Sequence, residues 1–151
     1  VLRKREAMRA EFEGFEPSRL ADWDEARIAK ALTNPGVIRS PAKIRALVSN
    51  ARLFEDMEAR GESFADYVWS FTGGTRIVNA LDSWRNVPAK TALSERMAAD
   101  MKRRGFKFCG PVILYAFMQA TGMVNDHLTC CFRHDAVRAM GARCAARVPI
   151  S

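Results

Sequence analysis

Apolar residues recur along this chain at the three- and four-residue spacing of helices, and no stretch alternates as a half-buried strand does. Residues 2–11 read as a helix already under way, ending near Gly14 and Pro17. A second helix is predicted over 23–33, with Ile28 and Leu32 on one face, Asp22 or Asp24 as its cap, and Asn34, Pro35 and Gly36 as its stop. Ser40 caps a third, with Pro41 at the first helical position, where a missing N–H costs nothing. Ile44, Leu47, Val48, Ala51 and Phe54 form its apolar stripe, which reads as core.

Ser63 caps a short aromatic helix, FADYVWSF, also assigned to the core together with Trp69. Residues 72–90 hold two glycines, a proline and no clear period, and read as an irregular crossover in which Trp84 faces either way. Thr91 caps the segment TALSERMAADMKRRG, where Leu93, Met97 and Met101 recur every four residues. Gly105 ends it after a basic last turn, Lys102, Arg103 and Arg104, which complements the helix dipole. After GFKFCG, Pro111 opens PVILYAFMQATG, with Ile113, Leu114, Phe117 and Met118 on its buried face and Gly122 at its close. There is no internal repeat, and the predicted class is all-α.

Composition narrows the picture. At 151 residues the chain can bury one core, and 48% hydrophobic with 27% charged residues is ordinary for a soluble globular protein. No apolar run approaches the roughly 20 residues that span a bilayer, so no membrane partner is expected. The chain opens on Val1 inside a helical pattern, and we expect it to be part of a longer protein. Twenty-four Lys and Arg against 17 Asp and Glu give a net charge of +7, which favours a polyanionic partner or simply a solubilising surface. The four cysteines, Cys109, Cys130, Cys131 and Cys144, show no disulfide framework and suit a reducing cytoplasm, where a cysteine–histidine cluster points to metal.

Candidate chemistry concentrates in residues 102–131. Gly105 and Gly110 bound a tight turn and permit close backbone approach, and the helix that follows offers free N–H groups to an anion. Lys102, Arg103, Arg104 and Lys107 surround the turn with positive charge. The same features describe an ordinary pair of antiparallel helices with a solvated basic end. Further on, His127 and Cys131 stand four apart; on a helix they would share a face and reach one metal ion.

The segment GFKFCGPVILYAFMQATGMVNDH resembles the signature of the DNA-3-methyladenine glycosylase I family, and FADYVWSF and GVIRSPAKIRALVSNA resemble two further blocks of it. The resemblance runs from Val1 to about Cys131, giving a glycosylase domain over 1–131 and a C-terminal tail over 132–151 outside the pattern. It implies a helix-hairpin-helix bundle, the fold of a base-excision repair enzyme that flips 3-methyladenine out of double-stranded alkylated DNA and hydrolyses its N-glycosidic bond as a monomer with water as nucleophile. Gly105, Lys107, Phe108 and Gly110, with Lys102, Arg103 and Arg104, would grip the DNA backbone. Asn125 falls where relatives in the superfamily place an aspartate; Asp126 is then the catalytic candidate, or else a positioning partner of its neighbour.

The resemblance also implies a structural zinc held by His127 and Cys131 with a cysteine and a histidine expected upstream of Val1, as are the Glu, Tyr and Trp of the base pocket. With two ligands only, weak or no zinc binding is expected of the present chain. Cys130 and His134 lie close enough to substitute, and Tyr115 is a candidate to approach the pocket. Two other readings stay open: a non-enzymatic helix-hairpin-helix DNA-binding module, and a zinc-assembled structural protein.

Overall fold

Helix ends, more than helix interiors, explain how this chain is divided. A computed structural model describes the backbone of residues 2–145 and the side chains of residues 2–140. Eight α-helices occur among the described residues, which confirms the all-α class. They are α1 (Arg5–Glu11), α2 (Pro17–Ala21), α3 (Glu25–Thr33), α4 (Pro41–Ala59), α5 (Phe64–Ser70), α6 (Ala92–Arg103), α7 (Pro111–Ala120) and α8 (Phe132–Ala145).

Of the two cap candidates for α3, Asp24 is the one used, its carboxylate accepting the Arg27 N–H at 2.8 Å. Thr91 and Ser94 cap α6 reciprocally: the Ser94 N–H donates to Thr91 Oγ1, and the Thr91 N–H donates to Ser94 Oγ. Ser40 precedes Pro41 as expected but makes no side-chain capping bond. Pro17, read from the sequence as a stop, instead opens α2, because a proline that ends one helix is also suited to the first turn of the next. Between α1 and α2 the chain reverses through Glu13, Gly14 and Phe15, all left-handed, with φ of 52°, 72° and 62°.

The chain divides into two compact units. The first runs to Phe64 and takes in Met101–Phe108. In it α2 and α3 pack on α4, and Leu20, Trp23, Ile28, Ala31, Ile44 and Val48 form the heart of the core. A polar clasp closes one side of that core. Glu11 receives Arg27 at 2.6 Å and Asn34 at 2.6 Å, and the Arg27 guanidinium lies 4.0 Å from the centre of the Trp23 ring.

The second unit holds Ala65–Asp100 and the chain from Cys109 onward. Here two short strands appear that no periodicity announced, β1 (Ile77–Val78) and β2 (Val124–Asn125), paired in parallel and continued by a bridge between Leu81 and Leu128. They tie the crossover segment to the chain after α7. Arg76 reinforces the tie by donating to the carbonyls of Gly122 and Val137. On α7 the buried positions are Leu114, Tyr115 and Met118, whereas Ile113, expected inside, is 57% exposed. Tyr115 takes that inward place because its hydroxyl finds a partner there. The first part of the expected tail is helical as α8, and residues beyond 145 lie outside the described residues.

Candidate functional site

The turn after α6 is built by four successive devices. Gly105, at φ +99°, ends the helix with a paired closure: the Gly105 N–H donates to the Lys102 carbonyl at 3.0 Å and the Phe106 N–H to the Met101 carbonyl at 2.9 Å. Phe106 then turns inward, buried with Met101, its ring 5.9 Å from that of Phe64. The third device is Asn50 on α4. Its side-chain amide accepts the Lys107 N–H and donates to the Lys107 carbonyl, both at 2.9 Å. Phe108 follows in a left-handed conformation, φ 57°, with its ring 52% exposed.

The result is a turn fixed at its base and open at its tip. Gly105, Lys107 and Phe108 are exposed, as are Lys102, Arg103 and Arg104, so the positive surface expected around the turn is present. Arg104 also pairs with Glu62 at 2.8 Å, and that bond holds Glu62 below the usual carboxylate range. The N–H groups of Gly105, Phe106 and Lys107 are already bonded within the unit. Those of Phe108 and Gly110 have no acceptor among the described residues. Gly110 in turn is the N-terminal cap of α7 with no side chain to contribute.

In the second unit the polar residues converge on Asp126. Tyr115 donates to its Oδ2 at 2.6 Å, Gln119 to the same oxygen at 2.8 Å, and Asn79 to Oδ1 at 2.6 Å. Burial, and then the Asp126 carboxylate, push the Tyr115 hydroxyl well above the usual tyrosine range. Asn79 joins its neighbours through its backbone as well: its N–H donates to the Asn125 carbonyl, and its own carbonyl accepts from His134 Nε2 at 3.1 Å. Asn125 is 1% exposed, donating to the His134 carbonyl and accepting the His127 N–H. Both atoms of its amide are thus spent on holding the backbone. Gln119, Asn125 and Asp126 border a cleft of about 690 Å³ whose wall also carries His127, Arg76, Arg133 and Val137.

His127 and Cys131 lie on a turn rather than on the helix that their spacing suggested, since α8 starts only at Phe132. The turn nevertheless brings Cys131 Sγ to 3.8 Å from His127 Nδ1. Two ligands of a tetrahedral zinc stand about 3.6 Å apart for ordinary Zn–S and Zn–N lengths, so the pair has the spacing and donor chemistry of half a site. Among the described residues no third His, Cys, Asp or Glu completes a cluster. His134 does not substitute, because it is buried with Nε2 on Asn79 and Nδ1 on Asp135. Cys130 is exposed, and burial pushes the Cys109 thiol up, away from nucleophilic use. Trp84 stands 72% exposed on a short turn beside Arg85, and Trp69 is half-buried.

Sequence reasoning found the turn, Asp126 and the His127–Cys131 pair but missed Asn50 and Asn79. For Asn50 a signal existed: asparagine is a poor residue for a helix interior, and one placed between Val48 and Ala51 asks for a reason. Asn79 lay in a stretch without a pattern and gave none.

A model of the methyladenine glycosylase family matches residues 1–134. The chain is 43% identical over 131 residues to the DNA-3-methyladenine glycosylase of Haemophilus influenzae, covering 87% of this chain and 71% of that protein. It is 41% identical over 134 residues to DNA-3-methyladenine glycosylase 1 of Escherichia coli, covering 87% and 72%. A crystal structure of 3-methyladenine DNA glycosylase I superposes with a TM-score of 0.85 at 48% identity, over 88% of this chain and 73% of that one. A variant of such an enzyme in complex with 3-methyladenine superposes at 0.83 with 28% identity, over 88% and 72%.

The raised Tyr115 hydroxyl carries a stability consequence. Its folded value lies above the unfolded one, so its contribution is complete below pH about 10 and is lost as pH rises beyond that. Urea unfolding of the wild type should therefore weaken more steeply between pH 10 and 11 than that of Tyr115→Phe. Equal slopes would refute the assignment.

Proposed function

The chain belongs to the methyladenine glycosylase family, and from that premise we propose that it excises 3-methyladenine from alkylated duplex DNA by hydrolysing the N-glycosidic bond, acting as a monomer in the cytoplasm. The single observation that carries the reading is the open basic turn whose Phe108 amide is unbonded, in a chain that matches the family along nearly its whole length. Cys130 and Cys131 are thiols, which supports a reducing compartment, and no described helix is long and apolar enough to cross a membrane.

Methylation at N3 makes adenine a cationic leaving group. The protein then has less need of a strong nucleophile than of a firm hold on the strand. The backbone amide at Phe108 suits a phosphodiester oxygen, with Lys102, Arg103, Arg104 and Lys107 adding charge and Gly105 allowing the approach. These contacts position the duplex and are indifferent to sequence, as a lesion enzyme requires.

Asp126 takes the positioning role of its two readings. Three side chains of its own unit claim its oxygens, and the turn it holds bears His127. His127 and Cys131 supply half of a structural zinc site, which would pin that turn, the remaining ligands coming from outside the described residues.

Three measurements test this reading. The protein as its gene encodes it should release free 3-methyladenine from methylated duplex DNA; duplex binding without release would instead favour a DNA-binding module. Asp126→Asn should lower stability by about 1–3 kcal/mol, through donors left facing an amide, while kcat stays within about tenfold. A loss of about a thousandfold in kcat at unchanged stability would make Asp126 catalytic instead. Metal analysis of the protein as its gene encodes it should find about one zinc per molecule, lost in His127→Ala and in Cys131→Ser; zinc retained by both variants would remove the pair from the site.

A further inference from the structure

Resting on that reading, we propose that Asn50 is a positioning residue for DNA binding, acting from α4 on a turn more than fifty residues away in sequence. The accounting of backbone groups leads to it. Gly105 and Phe106 bond to the end of α6, so their conformation is set locally. Lys107 has no helix or strand to join, and its N–H and carbonyl are both met by the Asn50 amide in the two-point manner of a neighbouring strand. That pairing fixes the chain on the near side of Phe108, whose left-handed φ of 57° is unfavourable for a phenylalanine and needs surroundings that hold it. With Lys107 held, the Phe108 N–H stays unbonded at the surface.

Asn50 therefore pre-forms the phosphate-binding amide without touching the phosphate. Without it, the turn would order only on binding, and affinity would fall by the fraction of chains in the competent conformation. No charge is involved, which separates this role from that of the surrounding lysines and arginines.

The test uses the protein as encoded, an undamaged DNA duplex and a methylated one. Asn50→Ala should weaken duplex binding about tenfold while the slope of affinity against salt stays that of the wild type, because the count of released counterions is unchanged. KM for methylated DNA should rise by a similar factor with kcat within about twofold. Amide exchange at Lys107 should speed up at least tenfold. Asn50→Gln, which keeps both groups on a longer arm, should fall between wild type and alanine in each measurement, and it carries the test if the alanine variant does not fold. Unchanged duplex affinity in a folded Asn50→Ala would overturn the role of Asn50, as would a change in salt slope that accounts for the whole loss. A wild type that binds no duplex at all would defeat the glycosylase reading itself, and Lys107 exchange would still report the clamp separately.

Discussion

A backbone that leaves a helix carries N–H and carbonyl groups that must still find partners, and in this protein amide and guanidinium side chains supply many of them. Asn50 completes Lys107. Asn125 completes His127 and His134. Arg76 takes the carbonyls of Gly122 and Val137. Each of these side chains stands where a strand or another helical turn would otherwise be needed. Among the described residues no buried side-chain polar atom is left without a partner.

That constraint shapes both regions of interest. In the first unit it leaves the Phe108 N–H unbonded at the tip of a turn whose base is immobilised by Phe106 and the closure of α6. In the second it collects Asn79, Tyr115, Gln119 and Asp126 into one network next to the turn that carries His127 and Cys131. Gly122 shows how tight this packing is: a Cβ there would lie 2.9 Å from the Arg76 guanidinium. Excision of a base that leaves readily asks for geometry held in advance, and both regions provide it.

The helices with a clear apolar stripe were legible in the sequence, and so was the glycine-bounded turn, because their signals are local. Asp24, Thr91 and Gly105 act at the helix ends where their residue types are expected. What escaped has physical reasons. Pro17 is compatible with both stopping and starting a helix. A two-residue strand such as Ile77–Val78 is too short to alternate. Ile113 and Tyr115 exchange the roles that hydrophobicity alone assigns them, since the Tyr115 hydroxyl has the half-buried Asp126 carboxylate to meet. Asn50 and Lys107 pair across a span over which no sequence pattern operates.

The threading of the first unit has a bearing on how the protein is made. Its chain departs at Phe64 and is completed only by Met101–Phe108, so residues 65–100 must be looped out before the unit closes. Closing a loop of that length costs about 3 kcal/mol from chain entropy alone, on a (3/2)RT ln n estimate. On the ribosome, Asn50 emerges long before Lys107, and the helices around it can collapse while their last segment is still untranslated. The turn that carries Lys107 is thus assembled late, and a nascent chain lacks it until residues 65–100 of the second unit have been made.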